Sequence, residues 1–526
     1  MKIVTGAQMR QLEERAVAAG VSLDTLMESA GLAVARRIVQ LLDGVRGKRV
    51  VVLVGPGNNG GDGMVAARYL ADWGALITLY MASGRRREDK FEECRSRQVR
   101  VVEAADDPEQ MHLASYVALA DLVVDAVLGI GAGDARPLDG SIGAALAAVG
   151  DVQRRQPALR VVAIDVPTGL NADSGACDDA CIEAAITLTL GAPKIGLFRF
   201  PGARLAGTIE TIGIGLPDGI DGGLAIDLAG DASVSAALPA RRIDAHKGSH
   251  GSLLVVAGSR SFVGAPVLTA TAAYRAGAGL VTLAAPETVY RIAATGLLEQ
   301  VHLPLPETES GNLGPAAVGA TRTALEAATA AVVGPGLGSK ESVRLFLESL
   351  LLSDSDSRGA DSAPETPIVL DADALNALAV TYEWWKRMRA PAVLTPHSGE
   401  MARLTGRAIS DVQDLRIETA SEAASTWGQV VVLKGALTVV ASPDGRVTIS
   451  PFSNPALATA GTGDVLAGII GALMAQGAGP YDAAVAGVYV HAKAAETLRG
   501  RLGDGGMLAS DLLLEVPPAM QALRST

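Results

Sequence analysis

Residues 50–75 read VVVLVGPGNNGGDGMVAARYLADWGA. A strand-like apolar run precedes the spacing Gly55-x-Gly57-x-x-Gly60, and a helix-like run follows it. A strand, a glycine turn and a helix start together offer free backbone N–H groups to an anion. This is the outline of a dinucleotide-binding fingerprint, and it predicts a doubly wound α/β sheet.

The loop departs from that fingerprint in two ways. An acidic residue is expected about 20 positions on, to bind a ribose. The next strand ends instead in MASGRRR, with Arg85, Arg86 and Arg87. These suit either a 2′-phosphate or a solvated charge run. The loop also carries Asn58-Asn59-Gly60-Gly61-Asp62-Gly63. Approach to a pyrophosphate needs glycine, not two carboxamides and a carboxylate. Their oxygens can coordinate a cation or orient a polar ligand. The plain alternative is a capped turn with Asp62 as N-cap.

The 526 residues suggest two or more domains. With 49% hydrophobic but only 3% aromatic residues, the cores must be aliphatic. A net charge of −12 makes nucleic acid an unsuitable partner but leaves small anions open. Cys94, Cys177 and Cys181 are too few and too irregular for a disulfide scaffold or a zinc site, and fit a reducing compartment. The N-terminus reads as a charged helix, and no apolar run reaches the ~20 residues needed to span a bilayer. The expectation is a cytoplasmic enzyme with no membrane partner.

Residues 1–215 read as one α/β unit. Asp24 is a candidate helix cap ahead of Leu26, Met27, Ala30, Val34, Ile38 and Leu41 at helical spacing. The strands are VVVLVG, ALITLYMA, DLVVDAVLG, RVVAIDVP and AAITLTLG. Continuous apolar strands separated by helices imply a parallel sheet covered on both faces. Residues 216–245, rich in Gly, Asp and Ala, read as a connection. A second α/β unit spans 246–526, with strands SLLVVAG, GLVTLAAP, AAVVGPG, PIVLDAD, PAVLTP and QVVVLKG. Its segment SDSDSRGADSAPETP reads as a surface insert.

In a parallel sheet the carboxyl ends of the strands line the ligand crevice. Asp125 ends LVVDAVLG and is followed by Gly129-Ile130-Gly131-Ala132-Gly133-Asp134-Ala135. Asp165 ends VVAIDVPTG, with Thr168 beyond it. Asn59, Asp125, Asp165 and Thr168 are therefore expected to converge.

GPGNNGGDG, VDAVLGIG and AIDVPTGLNADSG resemble the NAD(P)H-hydrate epimerase family over most of residues 1–215. The resemblance implies a Rossmann-like three-layer sandwich that binds a hydrated nicotinamide nucleotide. Asn58, Asn59, Gly60, Gly61 and Asp62, the loop from Gly129 to Ala135, and Asp165 would contact it. Asn59, Asp125 and Thr168 would bind K+. Asp165 would be the acid/base that helps water leave and return at C6 of the reduced ring. Ile130 departs from the family, where many members carry a hydroxyl residue.

In the second unit, Gly461-Thr462-Gly463-Asp464 precedes an apolar helix. The free N–H groups there can form an anion hole, and Asp464 can take a proton from a hydroxyl as a phosphoryl group arrives. Lys434-Gly435-Ala436-Leu437-Thr438 follows a strand, and a Lys with a hydroxyl can hold a nucleotide. Gly334-Pro335-Gly336-Leu337-Gly338 offers bare backbone. His397 and Glu400 stand three apart, and Asp371 and Asp373 add carboxylates at the same sheet edge.

HKGSHGSLLVVAGS, YRAGAGLVT, VVGPGLG, DADALNAL, TPHSGEMARL, KGALT and AGTGDVLAG occur in order over residues 246–520. They resemble the ribokinase-like fold and, more closely, the ADP-dependent NAD(P)H-hydrate dehydratase family. The resemblance implies that Ala265, Gly336, His397 and Asp464 contact the hydrated substrate. Lys434 to Thr438 and Gly463 would contact ADP. Ser398 and Ala456 stand where Pro and Gly are usual. ADP would phosphorylate the C6 hydroxyl, and loss of phosphate would restore NADH or NADPH. Asp464 would be the base, with Mg2+ screening phosphate charge and Asp371 and Glu400 as contributors around it.

The two halves together imply one repair enzyme for NADHX and NADPHX: R and S epimers interconvert in the first unit, and the S epimer is dehydrated in the second. A homo-oligomer is the expected assembly. The alternatives are a vitamin or sugar kinase fused to a non-catalytic nucleotide-binding module, and an ordinary NADP dehydrogenase.

Overall fold

Strands buried on both faces require apolar residues at every position. In β1 (Arg49–Val54), Val50, Val52 and Val54 pack into one core, while Val51 and Leu53 pack into another. β1 is therefore the middle of three layers. The computed structural model describes residues 1–525 except 85, 86, 98, 131–137, 139 and 354–363. The chain divides into two compact units, Met1–Leu224 and Ala225–Thr526.

The first unit continues with β2 (Leu76–Met81), β3 (Arg100–Glu103), β4 (Leu122–Ala126), β5 (Val161–Ile164), β6 (Ile186–Leu190) and β7 (Thr208–Ile212). The sheet order is β3-β2-β1-β4-β5-β6-β7, with every pairing parallel. The five apolar runs are β1, β2, β4, β5 and β6. The edge strands β3 and β7 lack fully buried positions, so no apolar run announces them. The chain winds outward from β1 to β3, then returns to β4 on the other side. A crevice opens at such a switch point. The helix Leu23–Leu41 is capped by Ser22, whose Oγ accepts the Thr25 N–H at 3.1 Å. Asp24 lies in the first turn instead, where a carboxylate suits the helix dipole.

The second unit contains β8 (Ile226–Leu228), β9 (Ser252–Val256), β10 (Leu280–Pro286), β11 (Val301–Leu305), β12 (Ala330–Val333), β13 (Ile368–Leu370), β14 (Ala392–Leu394), β15 (Val430–Leu433), β16 (Val439–Ala441) and β17 (Val447–Ile449). Their order is β11-β10-β9-β12-β13-β14-β15-β16-β17-β8. Pairing is antiparallel only between β15, β16 and β17. The six expected strands are β9, β10, β12, β13, β14 and β15. The others are short, or lie toward an edge of the sheet.

Residues 216–245 are not a uniform connection. The division between units falls inside them, after Leu224, and β8 pairs with β17. Asp231, opening the helix Asp231–Ala237, accepts from Tyr489 Oη at 2.7 Å and Lys493 Nζ at 2.6 Å. The three residues of β8 are only half-buried, so no apolar run announces it.

The helix Thr462–Ala475 buries all but two of its fourteen residues. A Cβ on Gly468 would stand 2.3 Å from the Thr269 carbonyl oxygen, so this helix touches Gly264–Arg275 backbone to backbone. A Cβ on Gly471 would meet Val332 of β12 at 2.4 Å. Among the described residues no single helix is long and apolar enough to cross a membrane.

The glycines after β1 serve different ends. A Cβ on Gly55 would fall 1.8 Å from Val127 O, and one on Gly60 2.2 Å from Gly55 O. Nothing lies within 4 Å of that position on Gly57. Gly55→Ala should therefore cost the first unit about 2–4 kcal/mol, and Gly57→Ala less than about 1. Calorimetry that follows the two units checks this; equal losses would contradict it.

Candidate functional site

The first site is a cavity of about 460 Å³ lined by residues that follow β1, β4, β5 and β6. Asn58, Asn59, Asp62, Gly129, Ile130 and Asp165 line it, as do Glu13, Arg87 and Lys194. Asp165 follows β5 with φ +69°, a left-handed conformation uncommon outside glycine. Its Oδ1 is ion-paired with Lys194 and accepts the Leu190 N–H at 3.3 Å. Lys194 is 1% exposed and also donates to Leu190 O at 2.7 Å and Thr189 Oγ1 at 3.4 Å. The sequence reading missed Lys194. Its signal is its place in GAPKIG, four residues beyond the end of β6.

The helix Asn58–Asp72 starts at Gly57, so Asp62 is inside it and is not the N-cap. Asp62 is buried. Burial, then Asp165, then Glu13 hold its carboxyl well above the usual range. Arg87 ion-pairs with Asp89 at 3.0 Å and reaches Asn58 Oδ1 at 3.5 Å. It is part of the cavity wall, not a residue of a detached charge run.

Asp125 is fully buried. Thr168 donates to it twice, from Oγ1 to Oδ1 at 2.6 Å and from N–H to Oδ2 at 2.8 Å. The Val127 N–H is 3.3 Å from Oδ1. Among the described residues no cationic side chain pairs with Asp125, and burial raises its pKa. Leu128 donates its N–H to Thr168 Oγ1 at 3.0 Å. Next to it, a Cβ on Gly129 would stand 3.4 Å from Asn59 Cγ and 3.1 Å from Asp165 Oδ2. The Asn59 side-chain oxygen and nitrogen are buried without hydrogen-bond partners. An orphaned carboxamide oxygen, a hydroxyl and an uncompensated carboxylate are a donor set suited to a hard cation. Gly131, Ala132, Gly133, Asp134 and Ala135 lie outside the described residues, as do Arg85 and Arg86.

In the second unit, a Cβ on Gly336 would stand 2.7 Å from Phe262 Cβ and 3.0 Å from Ala265 Cβ, so Ala265 and Gly336 share one wall. His397 caps the helix Ser398–Thr405. Its Nδ1 accepts the N–H groups of Gly399 at 3.0 Å and Glu400 at 3.4 Å, which leaves the ring proton on Nε2. Burial, then Lys434, lower its pKa and keep it neutral.

His397 forms an isolated β-bridge with Lys434. Lys434 Nζ donates to Asp371 Oδ1 at 2.7 Å and lies 4.0 Å from Glu400 Oε2. Burial opposes its charge, but Asp371 and Glu400 outweigh it and raise its pKa. A Cβ on Gly463 would stand 3.4 Å from Lys434 Nζ and 3.9 Å from Asp371 Oδ2. The start of Thr462–Ala475 is thus pressed against this ion pair. Asp464, in its first turn, is pushed up to about 7 by burial and Asp371, with Lys434 opposing. Gly461 caps the helix without a side-chain bond, which leaves its first amides available to an anion.

Beside these groups is a cavity of about 380 Å³ lined by Lys434, Gly435, Ala436, Thr438 and Gly463, with Asn454 and His491. Leu437 does not line it. With φ +55°, it turns inward and donates its N–H to Phe452 O at 2.9 Å. The sequence reading also missed His491, which lies in an apolar helical run. Its buried Nε2 is 2.9 Å from Thr462 O, and burial lowers its pKa to about 4, so it tethers the helix start as a neutral ring. Among the described residues no group of three or more His, Cys, Asp or Glu could hold a metal ion.

A family model described as NAD(P)H-hydrate dehydratase matches residues 253–518, and one described as YjeF-related protein N-terminus matches residues 23–196. The bifunctional NAD(P)H-hydrate repair enzyme of Moorella thermoacetica is 38% identical over 99% of this chain and 97% of that protein. Its Escherichia coli counterpart is 35% identical over 88% of this chain and 83% of that protein. A solved Bacillus subtilis ADP/ATP-dependent NAD(P)H-hydrate dehydratase, co-crystallised with ATP/Mg2+, is similar over 56% of this chain and 98% of that one, at 31% identity and a TM-score of 0.48. The chain belongs to the family of bifunctional NAD(P)H-hydrate repair enzymes.

Proposed function

We propose that the first unit interconverts the R and S epimers of NADHX and NADPHX, and that the second dehydrates the S epimer with ADP, releasing AMP and phosphate. The observation that carries this reading is the meeting, at Gly463, of Lys434, Asp371 and the first turn of the helix Thr462–Ala475, whose cap Gly461 has no side chain to occupy its amides. It puts a cation, a carboxylate and free amides at one point. That is the equipment for moving a phosphoryl group onto a hydroxyl.

In the first cavity, Asn58 to Asp62 and the loop from Gly129 hold the hydrated nucleotide. Asp165 exchanges a proton with the C6 hydroxyl as water leaves and returns, with Lys194 as its counter-charge. Asp62, whose pKa burial, Asp165 and Glu13 raise, is the complementary proton donor. K+ fits Asn59, Asp125 and Thr168, whose oxygens are otherwise an orphan, a hydroxyl and an uncompensated carboxylate. It would supply local positive charge that fixes the loop after β4.

In the second unit, Ala265, Gly336 and His397 place the hydrated ring, and Asp464 takes the proton from its C6 hydroxyl. Lys434 to Thr438 and Gly463 hold ADP. Mg2+ fits here as an ion carried largely by phosphate oxygens, which it screens. Asp371 and Glu400 orient Lys434. A homo-oligomeric assembly is part of the proposal.

Asp165→Asn should convert only the S fraction of an epimer mixture to the reduced nucleotide. Asp464→Asn should convert none while still equilibrating the epimers, and mixing the two variants should restore full conversion. Independence of epimerisation from Asp165 would overturn its assignment.

Asp464 must be ionised to act as base, so dehydratase kcat/KM should rise with pH through about 7. A carboxyl whose folded pKa is raised loses stability as pH climbs from its unfolded value, near 4, through its folded one. Asp464→Asn should therefore raise the melting temperature of the second unit by several degrees at pH 8 and by less at pH 5. No difference between the two pH values would contradict this.

Replacing K+ by the larger tetramethylammonium ion should slow epimerisation and lower first-unit stability in the wild type. Asp125→Asn should be insensitive to the exchange. Equal sensitivity of both proteins would argue against the cation site.

A further inference from the structure

Arg416 is the first residue of the helix Arg416–Trp427 and is 8% exposed. Its Nη2 donates to the carbonyls of Leu433 at 2.9 Å and Lys434 at 3.3 Å. Its Nη1 donates to Gln413 Oε1 at 3.1 Å and Ser398 Oγ at 3.4 Å. Every one of these acceptors is neutral. Among the described residues no carboxylate pairs with the guanidinium, and burial alone lowers its pKa to about 10. A cation at the positive end of a helix, buried and without a counter-ion, is disfavoured three times over.

The position of this charge gives it a use. Gly435 has φ +146°, and a Cβ there would come within 3.0 Å of Arg416 Nη2. The guanidinium therefore lies directly against the backbone of Gly435, which lines the cavity on its other side. Lys434 lines the same cavity, so Arg416 grips both the strand end and the turn that follows it. Ser398, beside His397, ties the same guanidinium to the neighbouring helix start. Here the usual Pro would offer no hydroxyl.

We propose that Arg416 is a positioning residue for the nucleotide. It fixes the Lys434–Gly435 turn in its binding conformation and supplies, from behind the turn, positive charge that an anionic diphosphate completes. This rests on the reading of Lys434 to Thr438 as the ADP loop. Arg416 does not touch the nucleotide, and no proton passes through it.

The test measures the ADP dissociation constant by calorimetry with Mg2+ present, the KM for S-NADHX, and the melting temperature of full-length Arg416→Lys and Arg416→Met. Arg416→Met should weaken ADP binding about tenfold or more while changing the KM for S-NADHX less than about twofold. Arg416→Lys, which keeps the charge but not the fork, should lie between it and the wild type. A purely structural role would lower the melting temperature and the active fraction without moving the ADP affinity of folded protein, and that result overturns the proposal. Should Arg416→Met not fold, Arg416→Lys decides alone: unchanged ADP affinity refutes. Lys434→Met and Thr438→Val keep the two readings apart. If they leave ADP binding intact, the ADP-loop reading fails. If they weaken it while the Arg416 variants do not, only the role of Arg416 fails.

Discussion

Both units depend on loops from neighbouring strands meeting backbone to backbone at the carboxyl edge of a sheet. Gly55 after β1 has no room for a Cβ against Val127 after β4, and Gly334 after β12 has none against Asp371 after β13, where the clearance would be 1.9 Å. At these points the chain closes over the strand ends, and the polar side chains next in sequence are forced into a common space. Asn59, Asp165 and Gly129 meet in one unit; Asp371, Lys434 and Gly463 meet in the other. Larger residues at the contact points would separate these groups.

The buried charges are then handled differently according to their tasks. Asp165 is paired with Lys194. Asp62 nearby has no ion-pair partner among the described residues, and burial raises its pKa. Asp125 is hydrogen-bonded to Thr168 and pairs with no cationic side chain among the described residues, which is what the proposed K+ would complete. Asp464 is pushed to about 7, where it can both hold and release a proton near neutral pH. Burial against Asp371 accounts for that value, with Lys434 limiting it. The cost of such groups is offset by the aliphatic cores beneath them, where the strands β1 and β9 are buried along most of their length.

The fold class was legible because buried parallel strands and amphipathic helices leave strong periodic signals. So were the glycine turns, whose composition is dictated by close approach. The edge strands β3, β7 and β8 were not legible, because partial exposure removes the pattern. Most proposed site residues follow strand ends, where a polar residue after an apolar run stands out. Lys194 was missed because it comes four residues after its strand, and its value lies in a partner far away in sequence. His491 and Arg416 were missed for the opposite reason: they sit on helices and act from behind, on the backbone of loops that other residues made conspicuous. The plain alternative for Asp62, a helix cap, fails because the helix already starts at Gly57.

One chain is expected to return both epimers of the hydrated nucleotide to use. The most direct measurement follows reduced-nicotinamide absorbance from an equal mixture of R- and S-NADHX, with Mg2+ and K+ present and with ADP, ATP or no nucleotide. Complete recovery is expected with ADP, and none without a nucleotide. Recovery that halts at the S fraction would contradict the role given to the first unit. No recovery with either nucleotide would contradict the role given to the second.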